Sequence, residues 1–180
     1  MKYLLYCISF ISLNVFAQDK YLTKTGTVAF EASVPSFEEV KATNHSVTAI
    51  LNAENGEFAA LVLVKGFRFK NALMEEHFNE NYAESDTYPK ATFKGRIDAF
   101  NFPDIKQNTA PTISGEISFH GKSKTLKKVP IVISKVNDIL EISGAFKAYA
   151  SDFDIEIPKI VSNKIAETID VVFNFKLTKK

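Results

Sequence analysis

From Ile169 to Thr178 the chain alternates strictly. Ile169, Val171, Phe173, Phe175 and Leu177 fall on one parity, and Asp170, Val172, Asn174, Lys176 and Thr178 on the other. Successive strand side chains point to opposite faces, so this pattern predicts a half-buried β-strand. The same reading applies to Phe93, Gly95 and Ile97 against Thr92, Lys94 and Arg96. It applies again to Ile113, Gly115, Ile117 and Phe119 against Glu116, Ser118 and His120, which puts His120 on the wet parity. Further strands are expected near 25–33, 44–52, 57–64, 124–135 and 139–148, with turn signals at Asn55-Gly56, His120-Gly121 and Asn137-Asp138. Eight such strands joined by hairpins predict an all-β, antiparallel barrel, whose closure removes the exposed edges that recruit other chains. A two-sheet sandwich fits the same pattern.

Two stretches break the alternation. Asn71 is placed to cap a short helix on which Met74 and Phe78 share one face and Leu73 and His77 form the neighbouring stripe. The second, "SDFDIEIPKIVSNK" (151–164), contains Pro158, which denies a central strand, and is expected to fold over one barrel end.

Of the 16 phenylalanines some must face the interior, and there is no tryptophan. An eight-stranded barrel either fills its interior with side chains or leaves room for one small ligand, and alternation does not choose between them. Gly95, Gly115 and Gly144 fall on the apolar parity beside Phe93, Phe119 and Phe146, where they either open space or let strands bend. Parity nominates Phe30, Phe58, Val62, Phe93, Ile117, Phe119, Phe146, Val171 and Phe173 as interior, ligand-facing residues.

The first residues, "MKYLLYCISFISLNVFAQ", combine Lys2, an apolar run and a small-residue Val15-Phe16-Ala17 site. They read as a signal peptide (1–17) cleaved after Ala17, which leaves residues 18–180 as one domain and implies a periplasmic or secreted product. The run is shorter than the ~20 residues of a bilayer span, so stable membrane insertion is not expected. The leader carries Cys7, the sole cysteine, so the mature chain has no disulfide, thiol nucleophile or cysteine ligand. Without Lys2 the basic and acidic residues balance at 21 each, which argues against nucleic acid as a partner.

The chain has three histidines, and Glu75-Glu76-His77 is the one place where two carboxylates adjoin one of them. Adjacent helical residues point about 100° apart, so the trio does not converge on one ion or proton. A zinc helix needs ligands four residues apart, and Leu73 and Asn81 occupy those positions. His120 and His45 lie elsewhere; Asn44-His45-Ser46 matches a glycosylation sequon, with His45 expected at an exposed strand start. Asp152 and Asp154 lack the further oxygen ligands of a calcium loop. No metal, cofactor or catalytic residue is therefore assigned. His77, with Arg68 between Phe67 and Phe69, is the candidate contact for a ligand's polar head.

Three stretches, in order, resemble the secreted YceI-like family of lipid- or polyisoprenoid-binding domains: "LMEEHFNENYAESDTYPKATFKG", "ISGEISFHGKSKTLKKVPI" and "AYASDFDIEIPKIVSNKIAETIDVVFNF". The resemblance runs from about residue 25 to 178 and implies an extended lipocalin-like barrel that holds an amphiphilic, isoprenoid-like chain in an apolar tunnel, with a helix near one end. The chain departs from the family pattern at Phe119 and Lys122-Ser123 and lacks an early tryptophan, which implies a differently shaped cavity. The expected function is to carry, store or sequester such a lipid, of polyprenyl or quinone type. Two other readings stand beside it: a filled barrel that binds another envelope protein, and a hydrolase or isomerase using His77 with Glu76 or Glu80. The oligomeric state, monomer or dimer, is open at this stage.

Overall fold

The computed structural model describes residues 19–35, 37–106 and 108–180. The signal-peptide reading of residues 1–17 lies outside the described residues. Among the described residues the strands are β1 (Lys20–Ser33), β2 (Lys41–Asn52), β3 (Glu57–Leu63), β4 (Arg68–Phe69), β5 (Lys90–Ile97), β6 (Thr112–Phe119), β7 (Lys122–Val136), β8 (Ile139–Tyr149) and β9 (Ile165–Lys179), with one α-helix, α1 (Ala72–His77). All eight expected strands form, most of them longer than their alternation.

The order β1-β9-β8-β7-β6-β5-β3-β2 closes on itself because β1 also pairs with β2, from Lys20↔Asn52 to Glu31↔Lys41 with an irregularity around Gly26. That pairing makes a barrel rather than a sandwich. Every strand pairing is antiparallel, and β4 is a two-residue addition to the start of β2.

Turn chemistry explains the tight corners. His120 and Gly121 both adopt left-handed conformations, φ +49° and +72°, between the paired Phe119 and Lys122. Two central residues of positive φ suit the right-handed twist of a two-residue hairpin. The same geometry corrects the reading of His120. Its left-handed backbone ends the strand parity, and its side chain is 10% exposed rather than wet. His45 is likewise not a strand start but an exposed residue inside β2, with Nδ1 3.2 Å from Thr27 Oγ1.

A bulge shifts parity within β7. Ile113 pairs with Val129 and Gly115 with Leu126, while Lys128 takes φ +51° and donates its N–H to Ser114 Oγ. An extra residue in one strand moves the inward face from Leu126 to Val129, Ile131 and Ile133.

Three long connections leave from one end of the barrel, 34–40 between β1 and β2, 64–89 carrying α1, and 150–164 between β8 and β9, and a fourth, 98–111 between β5 and β6, from the other. At the other end Leu51, Ile97, Ile131, Ile133, Leu140 and Leu177 are fully buried, and Ile105, Phe100 and Phe102 of the β5–β6 loop close it. The barrel is thus packed solid over one half. Among the described residues no helix is long and apolar enough to cross a membrane.

Candidate functional site: an apolar half-barrel with a polar rim

The other half of the barrel is hollow. A cavity of about 570 Å³ opens toward the 34–40, 64–89 and 150–164 connections, and its floor is Ile113, Val129, Ile142 and Phe175, which also belong to the packed core. The structure places Phe30, Phe58, Val62, Phe93, Ile117, Phe119, Phe146, Val171 and Phe173 along its wall. The wall is rich in phenylalanine where the packed half is mainly aliphatic.

The glycines do not create this space. Gly95 and Gly115 face each other across β5 and β6, and the Phe93 ring lies over both, its Cζ 2.7 Å from where either Cβ would stand. Gly144 is covered in the same way by the Phe173 ring, at 2.6 Å. Rings lie flat along the strands where Cβ atoms are missing, so the glycines set the shape of the aromatic wall.

Around the helix, Phe30, Phe67, Phe69 and Phe78 meet with ring centroids 5.1–5.8 Å apart. This cluster seats the helical segment against β1. Asn71 caps α1 by accepting the Leu73 N–H at 2.9 Å, and a π-helical turn, Phe78–Tyr82, follows. Met74, His77, Phe78 and Tyr82 line the cavity, while Leu73 faces out.

The three residues of Glu75-Glu76-His77 part company in the fold. Glu75 accepts from Arg68 Nη1 at 2.9 Å and from the Phe69 N–H at 3.1 Å, tying α1 to β4. Glu76 is exposed, and only His77 reaches the cavity. Arg68 does not line it; its guanidinium also donates to the carbonyls of Lys65 and Phe67. Among the described residues no hydrogen bond or ion pair joins His77 to Glu76 or Glu80, and no group of three His, Cys, Asp or Glu is placed to hold a metal. Asn44, of the sequon, is buried, donating to the Leu63 carbonyl and accepting the Ser46 N–H.

The polar side chains of the lining are few: Glu38, His77, Tyr82 and Lys164 from the connections at the open end, and Thr92 near the start of β5. Burial raises the Tyr82 phenol above its ordinary pKa, since desolvation disfavours the phenolate.

Sequence reasoning missed the inner side of the 150–164 segment. Phe153, Ile155, Ile157 and Val161 line the cavity, and the period-two spacing of the first three was the available signal. Asp152 and Asp154 are taken up by lysines of β7: Lys122 meets Asp154 at 2.5 Å, and Lys124 pairs with Asp152, which also accepts the Tyr149 N–H. His120 completes this anchor. Its Nδ1 donates to the Phe153 carbonyl at 2.9 Å, its Nε2 lies 3.3 Å from Glu84 Oε1, and its ring packs on Tyr88 at 4.6 Å. One imidazole therefore joins the helical connection to the 150–164 segment.

A family model described as the YceI-like domain matches residues 20–177. A polyisoprenoid binding domain from Saccharophagus degradans, implicated in plant cell wall breakdown, superposes with TM-score 0.78 at 14% identity, over 91% of this chain and 99% of that one. Burkholderia cenocepacia BcnA gives TM-score 0.69 at 16% identity, over 85% and 96%. A Campylobacter jejuni YCEI protein gives 0.60 at 14%, over 82% and 88%. At these identities the likeness is one of fold. No curated protein matches the chain.

Proposed function

The chain belongs to the YceI-like domain family, and from that premise we propose that it binds an amphiphilic lipid, tail inward, for transport, storage or sequestration, without chemical turnover. The observation that carries this reading is the distribution of polarity: an apolar floor and wall, with the ionisable lining groups confined to the rim. A ligand matching that surface has one long apolar part and one polar end.

The depth fits a chain rather than a compact molecule. Ile165 and Phe175 of β9 both line the cavity; at ~3.4 Å per residue and ~40° of strand tilt, that stretch is about 25 Å deep along the barrel axis. Extended chains advance about 1.2 Å per bond, so on the order of twenty bonds fit end to end. Burying ten methylene equivalents at ~0.8 kcal/mol each contributes about 8 kcal/mol, in the micromolar range before ordering costs. No catalytic group is needed for this.

An isoprenoid tail, of polyprenyl or quinone type, is the ligand class we favour. Its methyl branches suit a wall of phenylalanine rings, and the neighbour from Saccharophagus degradans is described as a polyisoprenoid binding domain. His77 and Tyr82 at the rim are the side chains we assign to the polar head. The leader-like residues 1–17 support export to the periplasm or beyond.

The test is to express the full sequence, recover the protein from the cell envelope and medium, and analyse an organic extract by mass spectrometry against a mock purification. A stoichiometric long-chain amphiphile is the expected result, and its mass names the class. An empty extract, together with failure of added quinones and polyprenyl lipids to bind, would overturn the reading. The intact mass of the recovered protein reports whether residues 1–17 are removed.

A further inference from the structure

Resting on the carrier reading, we propose that the barrel mouth docks on anionic bilayers through the adjacent 34–40 and 158–164 segments, so that a lipid passes between membrane and cavity without crossing water. Two observations point to it. Phe37 and Ile160 are both large, apolar and exposed, at 46% and 86%. They also belong to neighbouring segments, because Ser33 at the end of β1 pairs with Ile165 at the start of β9.

The 158–164 segment is built to present its tip. The Val161 N–H donates to the Pro158 carbonyl at 2.9 Å and the Lys164 N–H to the Val161 carbonyl at 2.8 Å, two successive turns that hold Ile160 outward while Val161 lines the cavity. Lys159 and Lys164 bracket the exposed isoleucine. Neither enters an ion pair among the described residues. Phe37 is followed by Glu38, which accepts from the Asn71 side chain, and by Glu39, 3.8 Å from Lys41; Glu156 is exposed earlier in the other segment, so the positive charge of the mouth is concentrated at the tip around Ile160.

An apolar tip bracketed by lysines, Ile160 between Lys159 and Lys164, is the chemistry of an interfacial contact with anionic lipid, the lysines at head-group level and the apolar side chains of Ile160 and Phe37 below it. Glu76 and Glu80 are exposed on the helical segment, which follows β4 on the far side of β2, so the contact is tilted toward the β1–β9 side. The cavity opens beside the same residues, since Phe37, Val161 and Lys164 are part of its lining. A docked mouth is therefore continuous with the bilayer interior.

The experiment is co-sedimentation of the recovered protein with vesicles of phosphatidylcholine mixed with phosphatidylglycerol, against phosphatidylcholine alone. Ile160→Asp and Lys159→Gln, neither of which lines the cavity, are compared with the parent chain. In parallel, the thermal shift produced by geranylgeraniol added from ethanol reports cavity occupancy without any membrane. We expect the parent to sediment with the anionic vesicles, Lys159→Gln to sediment about fivefold less, Ile160→Asp to lose most binding, and all to keep the same shift. A parent that stays in solution, or variants that sediment as the parent does, would overturn the docking surface. Loss of the thermal shift in every protein would instead sink the carrier reading, and the sedimentation result would still decide whether the surface binds membrane.

Discussion

Gly115 shows how little freedom single positions have in the aromatic wall. A Cβ there would stand 2.4 Å from the Lys94 carbonyl oxygen and 2.5 Å from the Gly95 Cα, both backbone atoms that no side-chain rotation relieves. Gly115→Val is expected to destabilise by about 3 kcal/mol, through overpacking and displacement of the Phe93 ring, and urea unfolding would measure it. A loss within a few tenths of a kcal/mol would mean the strand pair yields more than its geometry implies. Gly121 and Gly56, by contrast, matter for their positive φ, +72° and +75°, which a β-branched residue takes only with strain.

At the scale of elements, the 150–164 segment is a cover pinned at several points to β7 and to the helical connection. His120 can be tested apart from its backbone: Asn tolerates the left-handed conformation but does not reproduce the bridge between the Phe153 carbonyl and Glu84. His120→Asn should cost about 1–3 kcal/mol, the range for leaving a buried acceptor unpaired, and should speed ligand release in stopped-flow displacement. Unchanged release would show that the cover opens elsewhere.

The ion pair beside it predicts a pH dependence. The hydrogen bond to Asp154, and then the charge of Asp154, hold the Lys122 ammonium above the ordinary lysine pKa. A folded-state pKa raised in this way stabilises fully below the unfolded value and is lost as pH rises through the folded one. Ligand release should therefore be flat through neutral pH and accelerate only above the ordinary lysine value of 10.5, whereas Lys122→Met should release faster at neutral pH and lose the alkaline rise. Because both side chains are exposed, the effect belongs to the mobility of the cover rather than to global stability.

The whole molecule divides its labour along the barrel axis. Stability resides in the aliphatic half and binding in the aromatic half, so equivalent truncations should have unequal effects. Ile133→Ala, in the packed half, should cost about 2–5 kcal/mol with little change in ligand preference. Phe146→Ala, on the cavity wall, should cost less than the ~3–5 kcal/mol typical of a fully packed phenylalanine and should change which chain lengths bind. Thermal unfolding with and without a lipid series separates the two; equal losses would refute the division.

What the residues determined by themselves is local and periodic. Alternation located all eight long strands, Asn71 and Met74 announced the helix, and the apolar parity of nine residues put them on the wall of the cavity, because a period of two fixes a side chain's face without reference to distant partners. Tertiary structure decided everything that depends on what lies opposite. It closed β1 on β2, laid the Phe93 and Phe173 rings over the glycines of the apolar parity, and packed one half of the barrel while hollowing the other. It turned His120 inward through a left-handed backbone and drew Arg68 to Glu75 instead of the cavity. Periodicity specifies which face a residue takes, whereas filling, closure and pairing depend on residues far away in the sequence.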